Sequence, residues 1–339
     1  MRWSETLKRR LPARTTCRMA AAAFLLAACG VAPVIAADAD DGIDVVKLRP
    51  NFYMIAGGGS NIAVQIGQDG VVLVDAGSAA ASDRVSAALK KITNLPIRYI
   101  INTGADADHV GGNGNLAKTG MTVFTNAIGN AGLAGAMTNN GAAAILAHES
   151  VLRRMSAPTG KPELFPADAL PTEAFAPKRW YLRMNDEPIE VLHQPEARDN
   201  TDTFVFFRKS DVVAAGDVLD TTSFPVIDVE KGGSIQGEID ALNKLIEIAI
   251  PPGPFIYEGV GTYVVPGHGR ACLQLDVVDY RDMVVVVRDV IQDMIKQGMN
   301  LNQIKEAHPA RAYETEYGTK PGATNAFVES VYKSLTGKK

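Results

Sequence analysis

The chain has 339 residues, of which 46% are hydrophobic and 21% are charged, and its net charge at pH 7 is −4. This composition is typical of a globular protein and excludes a fibrous or low-complexity chain. Its acidic balance does not favour binding to nucleic acid or to an anionic membrane surface. No run of about 18 uncharged apolar residues follows the N-terminus, so we expect no later transmembrane helix.

The N-terminal residues have the pattern of an export signal. Six basic residues precede the apolar run 19–28, and the small residues that end at Ala36 fit a cleavage site. We therefore predict a signal peptide over residues 1–36. Its removal takes away six basic residues and one acid, so the net charge of −4 becomes −9. Residues 26–30 also fit a lipoprotein signal, with a lipid anchor at Cys29 as the alternative. Either reading predicts an exported protein, periplasmic or secreted.

The three cysteines do not indicate a disulfide, a catalytic nucleophile or a metal site. Of Cys17, Cys29 and Cys272, only Cys272 follows both the predicted cleavage site and the lipidation site. No disulfide within the mature chain is then expected. We interpret Cys272 as a small buried residue rather than as a nucleophile or ligand.

The first half of the chain alternates between strand and helix patterns. Strands are predicted at 52–56, 61–66, 71–75, 97–101 and 121–125. Helices are predicted at 82–92, around 116–118 and at 141–155. Residues 157–177 contain five prolines, which indicates an irregular loop or lid.

The second half repeats this alternation and ends in helices. Strands are predicted at 189–193, 203–208, 211–215 and 263–265, and helices at 235–250, 277–297, 300–307 and 327–335. Strands that come in runs and then alternate with helices favour two sheets packed face to face, with helices outside.

The loop after the predicted strand 97–101 carries the most chemistry. It holds Asp106, Asp108 and His109, and the pair Gly111-Gly112 allows a tight backbone turn just after them. If the segment is extended, alternate spacing directs Gly104, Asp106 and Asp108 to one side. Functional groups are commonly placed on such loops at the end of a rigid strand.

Residues 103–112 read Thr-Gly-Ala-Asp-Ala-Asp-His-Val-Gly-Gly. This stretch resembles the metallo-β-lactamase signature, Thr-His-x-His-x-Asp-His-x-Gly-Gly. The Asp-His pair and the glycines match, whereas Gly104 and Asp106 replace the first two histidines. The resemblance implies an α/β (α+β) fold, the αββα four-layer sandwich, over residues 45–272. Residues 273–339 are then a C-terminal helical extension.

Four further fragments fit the same family in the same order. The resemblance implies that Asp75 supports the metal site from behind, that Asp217 bridges two metals, and that His268 binds the second metal. The family's third histidine for the first metal falls on Arg198. His193 precedes that segment, and we interpret it either as a support for the site or as a core histidine.

The family has two metal positions, and this sequence retains the ligands of only one of them. The first would need Gly104, Asp106 and Arg198, but glycine has no donor atom and arginine repels a cation. The second keeps four ligands: Asp108, His109, Asp217 and His268. Two imidazoles and two carboxylates suit one zinc, and also iron or manganese. We therefore expect one divalent metal, with a metal-free relic as the alternative.

The changes at the first position have a shared explanation. We hypothesise that the guanidinium of Arg198 fills the first-metal space and pairs with Asp106. A fixed positive charge would then replace part of the lost metal charge and orient an anionic substrate group or an oxyanion. The alternative is that Asp106 merely caps the loop.

Two kinds of function remain open from these residues. The first is an exported hydrolase that uses a single metal, with Asp108, Asp106 and Arg198 as catalytic candidates. Its small-molecule substrate would be an ester, thioester, lactone, lactam or phosphodiester. The second is a non-catalytic protein that binds a small anion or metabolite on the same fold. A weaker third reading is redox or sulfur chemistry at a mononuclear iron.

Overall fold

The computed structural model describes residues 42–122, 141–156, 164–253 and 261–337. The predicted signal peptide and most of the predicted strand 121–125 lie outside these ranges. Among the helices that the structure describes, none is both long and apolar enough to cross a membrane.

The first sheet has seven strands that lie side by side in chain order. They are β1 (Asp44–Arg49), β2 (Phe52–Ala56), β3 (Ile62–Gly67), β4 (Gly70–Val74), β5 (Ile97–Ile101), β6 (Ala144–His148) and β7 (Glu173–Phe175). Strands β1 to β4 pair antiparallel, and β4 to β7 pair parallel. The hairpin between β3 and β4 turns at Asp69-Gly70, a dipeptide that favours tight turns.

The second sheet has five strands in the order β12-β11-β10-β9-β8. They are β8 (Arg179–Met184), β9 (Glu187–His193), β10 (Thr203–Phe207), β11 (Val212–Asp220) and β12 (Tyr263–His268). All neighbours pair antiparallel except β11 and β12, which are parallel.

Apolar side chains from the two sheets meet in one buried layer. Phe52 of β2 and Phe207 of β10 are both fully buried, and their ring centroids lie 4.8 Å apart. Truncation of a buried phenylalanine to alanine typically costs about 3–5 kcal/mol. This layer between the sheets is therefore a principal source of stability.

Helices cover the outer faces of both sheets. They are α1 (Ser82–Ile92), α2 (Ala107–Val110), α3 (Asn113–Thr119), α4 (Glu149–Met155), α5 (Ile235–Ile248), α6 (Gln274–Lys296), α7 (Leu301–Glu306), α8 (Glu314–Tyr317) and α9 (Ala323–Thr336). Helices α1 and α3 pack with the first sheet, and α5, α6 and α9 with the second. The predicted αββα sandwich is confirmed, with helices after it.

The structure differs from the sequence expectation at residues 141–155. The predicted helix is instead strand β6 followed by helix α4. All five residues of β6 are buried, because the strand lies inside the sheet and is covered on both faces. A short, continuous apolar run of this kind has no alternating pattern, so its period does not distinguish strand from helix.

Besides β6, three strands were not predicted, namely β1, β7 and β8. All three lie at sheet edges. Strand β1 is largely exposed and β8 carries arginines and exposed aromatics, so neither alternates cleanly between apolar and polar residues. Strand β11 also extends to Asp220, past the predicted end at residue 215. This extension brings Gly216 and Asp217 into the strand.

The strand ends bring the motif residues to one edge of the sandwich. Asp75 follows β4, Thr103 follows β5, and His268 ends β12. Because β4 and β5 are parallel, as are β11 and β12, their carboxyl ends reach the same edge. Residues far apart in the chain therefore converge there.

Candidate metal centre and its buried arginine

Asp108 and His109 lie in the short helix α2, directly after the loop that follows β5. The expectation of an extended segment is wrong for Asp108. The backbone turns here because His109 N and Val110 N both donate to Asp106 O, at 2.9 and 3.0 Å. Ser60 fixes the turn from the neighbouring loop, since its N and Oγ donate to Asp108 O at 3.1 and 2.9 Å.

Asp108, His109 and His268 converge on one point. One ligand atom from each lies within 4.8 Å of the other two. His268 Nε2 is 3.2 Å from Asp108 Oδ2. Asp217 joins them, since its Oδ1 is 3.0 Å from His109 Nε2 and 3.4 Å from His268 Nε2. The fold thus brings together the four residues of the second-metal position.

A glycine makes this approach possible. A Cβ atom on Gly267 would lie 2.1 Å from Asp217 Oδ1, which is well inside van der Waals contact. A side chain at 267 would therefore displace Asp217 from the cluster. Glycine at 267 therefore allows His268 to lie beside the Asp217 carboxylate.

Asp75 holds the back of the His109 ring. Its Oδ2 lies 2.8 Å from His109 Nδ1, and Thr103 N and Oγ1 donate to the same carboxylate at 2.8 and 2.6 Å. Only 2% of the His109 side chain is exposed. In the neutral ring with its hydrogen on Nδ1, that nitrogen donates to Asp75, and Nε2 then offers a lone pair to a cation in the cluster.

The electrostatics of the cluster follow from its opposite charges. Burial alone would lower the pKa of His109, but Asp217 and Asp75 raise it well above its ordinary value. The hydrogen bond with Asp108 raises the pKa of His268, and the same bond lowers the pKa of Asp108. Burial opposes ionisation of Asp217, yet His109 and Arg198 hold its pKa below the usual range.

Arg198 fills the neighbouring space and contacts Asp106, as the sequence hypothesis required. Its Nη2 lies against Asp106 Oδ2, and only 10% of the Arg198 side chain is exposed. Gly104 borders the same space, since a Cβ atom there would lie 3.8 Å from Arg198 Nη2. The three residues that replace the family's first-metal histidines are therefore neighbours.

Three further carboxylates surround the guanidinium of Arg198. Two of them, Asp199 and Asp202, were not among the site residues predicted from the sequence. Asp202 Oδ1 is 3.6 Å from Nε, and Asp199 Oδ2 and Asp217 Oδ2 are each 3.9 Å from an Nη atom. Burial disfavours the charged guanidinium, but these acids and Asp106 raise the pKa of Arg198. Its positive charge is thus compensated by the protein itself.

A cleft of about 320 Å³ opens above the cluster and the arginine. Its lining contains Asp106, Ala107, Asp108, Arg198, Asp217, Asp220, Phe224, Pro225, Val226, His268 and Lys320. Lys320 comes from the C-terminal region, and its Nζ lies 3.7 Å from Asp220 Oδ2. No motif marked Lys320 or residues 224–226, because their role depends on how the C-terminal helices pack.

His193 contacts the loop that carries Arg198. Its Nε2 lies 3.0 Å from Asn200 O, and its ring stacks on His148 with a centroid distance of 3.6 Å. Burial lowers the pKa of His193 to about 4, so the ring is neutral at ordinary pH. Its role as a support for the site stays a prediction.

Comparison with known families matches residues 55–252, more than half of the chain, to the metallo-beta-lactamase superfamily. The chain belongs to this superfamily. His268 and the helices after it lie beyond the matched residues. No curated protein matches the sequence.

Solved structures of the superfamily fold are similar at low identity. The inverting sec-alkylsulfatase Pisa1 from Pseudomonas sp. shares 14% identity at a TM-score of 0.60, covering 88% of this chain and 51% of its own. A metallo-beta-lactamase from Pontibacter korlensis shares 14% identity at a TM-score of 0.52, covering 71% and 98%. This chain therefore spans about half the length of the alkylsulfatase, and the likeness concerns the fold.

Proposed function

We propose that this protein is a metal-dependent hydrolase that binds one divalent cation at Asp108, His109, Asp217 and His268. The observation that carries the proposal is the convergence of these donors at the end of the sandwich. We propose zinc, with iron or manganese as alternatives that the same donors accept.

The residues present fit such a cation. Two imidazoles and two carboxylates supply enough donors for a four-coordinate site, and Asp75 orients His109 from behind. A cation bound there would polarise the oxygen of the scissile group and lower the pKa of a water molecule. Asp108 is the most exposed of the four, with 40% of its side chain accessible, so we propose it as a ligand or as a general base.

Arg198 and Asp106 take the place of the first metal in this proposal. Because four carboxylates already surround Arg198, we propose that it supplies a fixed structural charge rather than a free anion-binding group. Asp106 has 39% of its side chain exposed and lines the cleft, so it can contact substrate directly.

The cleft volume suits a small substrate. We propose an ester, thioester, lactone, lactam or phosphodiester, and the alkylsulfatase likeness adds sulfate esters to the classes that should be tested. We also propose that the protein acts after export, on the basis of the basic and apolar N-terminal residues.

A screen of these substrate classes with zinc-loaded protein tests the proposal. We expect turnover that Asp108→Ala and His268→Ala each reduce by at least about a hundredfold. Arg153→Ala is the matched control, because 70% of the Arg153 side chain is exposed and it pairs with Glu149 along helix α4, away from the cluster. Loss of activity in the control would contradict a specific role for the cluster.

The alternative is a non-catalytic binding protein, and the filling of the first-metal space by Arg198 is the observation that favours it. In that case small metabolites would raise the melting temperature of the protein without being hydrolysed. Stabilisation without turnover for any substrate class would replace the hydrolase proposal with this one.

A further inference from the structure

Glu238 is a buried acid that the proposed function does not use. It lies in the first turn of helix α5 and its exposed fraction is 0%. Within the described ranges, no protein group hydrogen-bonds either of its carboxyl oxygens. Burial of such a group without a hydrogen-bond partner destabilises the folded protein.

Arg198 presents a second unpaired group in the same region. Its Nε is buried and has no hydrogen-bond partner among the described residues. The nearest acid, Asp202 Oδ1, is 3.6 Å away, which is beyond direct hydrogen-bond distance. Glu238 interacts electrostatically with Asp202, Arg198 and Asp217, which places it in the same buried charged region.

The start of helix α5 packs directly on the loop that carries Arg198. A Cβ atom on Gly233 would lie 2.1 Å from Arg198 O, and one on Gly237 would lie 1.9 Å from Glu196 O. Ser234 N donates to Glu196 O at 2.9 Å. These contacts leave no room for side chains at 233 and 237, so the start of the helix packs closely against the loop.

We propose that a bound water molecule links Glu238 to Arg198 Nε and Asp202, and that Glu238 thereby positions the guanidinium. Buried polar groups are almost always satisfied by protein or by ordered water, and a buried water typically makes about three hydrogen bonds. Here Nε donates to the water, and the two carboxyl groups supply its other partners. Glu238 is therefore a positioning residue for Arg198.

A cation is a poorer occupant of this position than water. The guanidinium of Arg198 faces it, and a positive charge beside Nε would be repelled. A water molecule both accepts from Nε and donates to a carboxylate, so it matches both kinds of neighbour. This inference concerns the buried side of Arg198 and does not depend on metal binding or hydrolysis.

A high-resolution crystal structure of the whole protein tests the water directly. We expect an ordered water within hydrogen-bond distance of Glu238, Arg198 Nε and Asp202. A direct contact between Glu238 and Nε, or a metal ion at this position, would overturn the proposal. So would a dry position in which both groups stay unpaired.

NMR of protein with ¹⁵N-labelled arginine gives an independent test in solution. The Nε–H signal of Arg198, identified by its loss in Arg198→Lys, should exchange slowly with solvent. Glu238→Leu should accelerate this exchange about tenfold, the factor that corresponds to ~1.4 kcal/mol. Glu238→Gln should keep it slow, because the amide can still bind the water.

Asp240→Asn is the matched control, since Asp240 lies on the same helix and is exposed. It should leave the Arg198 signal unchanged. An unchanged exchange rate in Glu238→Leu would overturn the positioning role, because the proposal requires Glu238 to hold the water that protects the Nε–H of Arg198. If Glu238→Leu does not fold, the Glu238→Gln signal and the wild-type crystal structure still decide the question.

Discussion

His109 Nδ1 lies 2.8 Å from Asp75 Oδ2, so the aspartate at the end of β4 determines which ring nitrogen of His109 faces the cleft. Asp75 adopts a backbone φ of 64°, an uncommon value that asparagine also tolerates. Replacement of Asp75 by asparagine should therefore remove the carboxylate while keeping the backbone conformation.

Asp75→Asn should weaken zinc binding by about 10–100-fold, because one of its two carboxylate acceptors becomes a donor. The backbone should not be strained by this change. Calorimetric zinc titration measures the effect. Asp83→Asn, an exposed change in helix α1, serves as the control and should bind zinc like the wild type. Equal affinity in Asp75→Asn would show that Asp75 does not orient His109.

Arg198→Met should destabilise the protein by about 3–5 kcal/mol, because Asp199, Asp202 and Asp217 would lose their buried counter-charge. Asp106→Asn should cost about 1 kcal/mol at most, since 39% of the Asp106 side chain is exposed. Urea unfolding measures both. A near-neutral effect of Arg198→Met would contradict the charge compensation described here.

Restoring the family's histidines should recreate a second metal position. A Cβ atom on Gly104 meets only ordinary contacts, at 3.8 Å from Arg198 Nη2 and 3.9 Å from Thr201 Oγ1. The triple variant Gly104→His, Asp106→His, Arg198→His should therefore bind an additional equivalent of zinc, as measured by elemental analysis. Arg198→His alone should not, because Gly104 still offers no ligand. If the triple variant binds only one equivalent of zinc, positions 104, 106 and 198 do not keep the family's first-metal arrangement.

Stability should decline as pH rises from about 5 to 8, in part through Glu238. Burial raises the pKa of Glu238 well above its ordinary value, and burial also raises the pKa of Asp202 to about 7. The folded protein thus retains protons that the unfolded chain releases, and this contribution to stability is lost with increasing pH. Glu238→Gln should flatten the decline in melting temperature. Parallel pH curves for the variant and the wild type would rule out this contribution.

Much of the site could be predicted from the sequence because its residues sit in short segments of fixed spacing. Asp75 follows strand β4, the Asp108-His109 pair follows β5 after a short loop, Asp217 lies within β11, and His268 ends β12. The structure brings their side chains to one edge of the sandwich. The helical turn at Asp108 was not predicted, since the four residues of α2 are too few to show a helical period.

Other parts of the site depend on contacts that no local pattern contains. Helix α5, which carries Glu238, approaches the loop of Arg198 closely because positions 233 and 237 are glycines. Lys320 reaches the cleft through packing of the C-terminal helices. Strand β6 was mistaken for helix because burial on both faces removes the alternation that marks a strand.

The number of metal ions that the protein binds tests the central claim most directly. Protein treated with a chelator should be titrated with zinc by calorimetry and then analysed for metal content. We expect one tight site per chain, which the double variant Asp108→Ala, His268→Ala abolishes. Absence of tight binding, or one site that persists in the double variant, would contradict a metal centre at these residues.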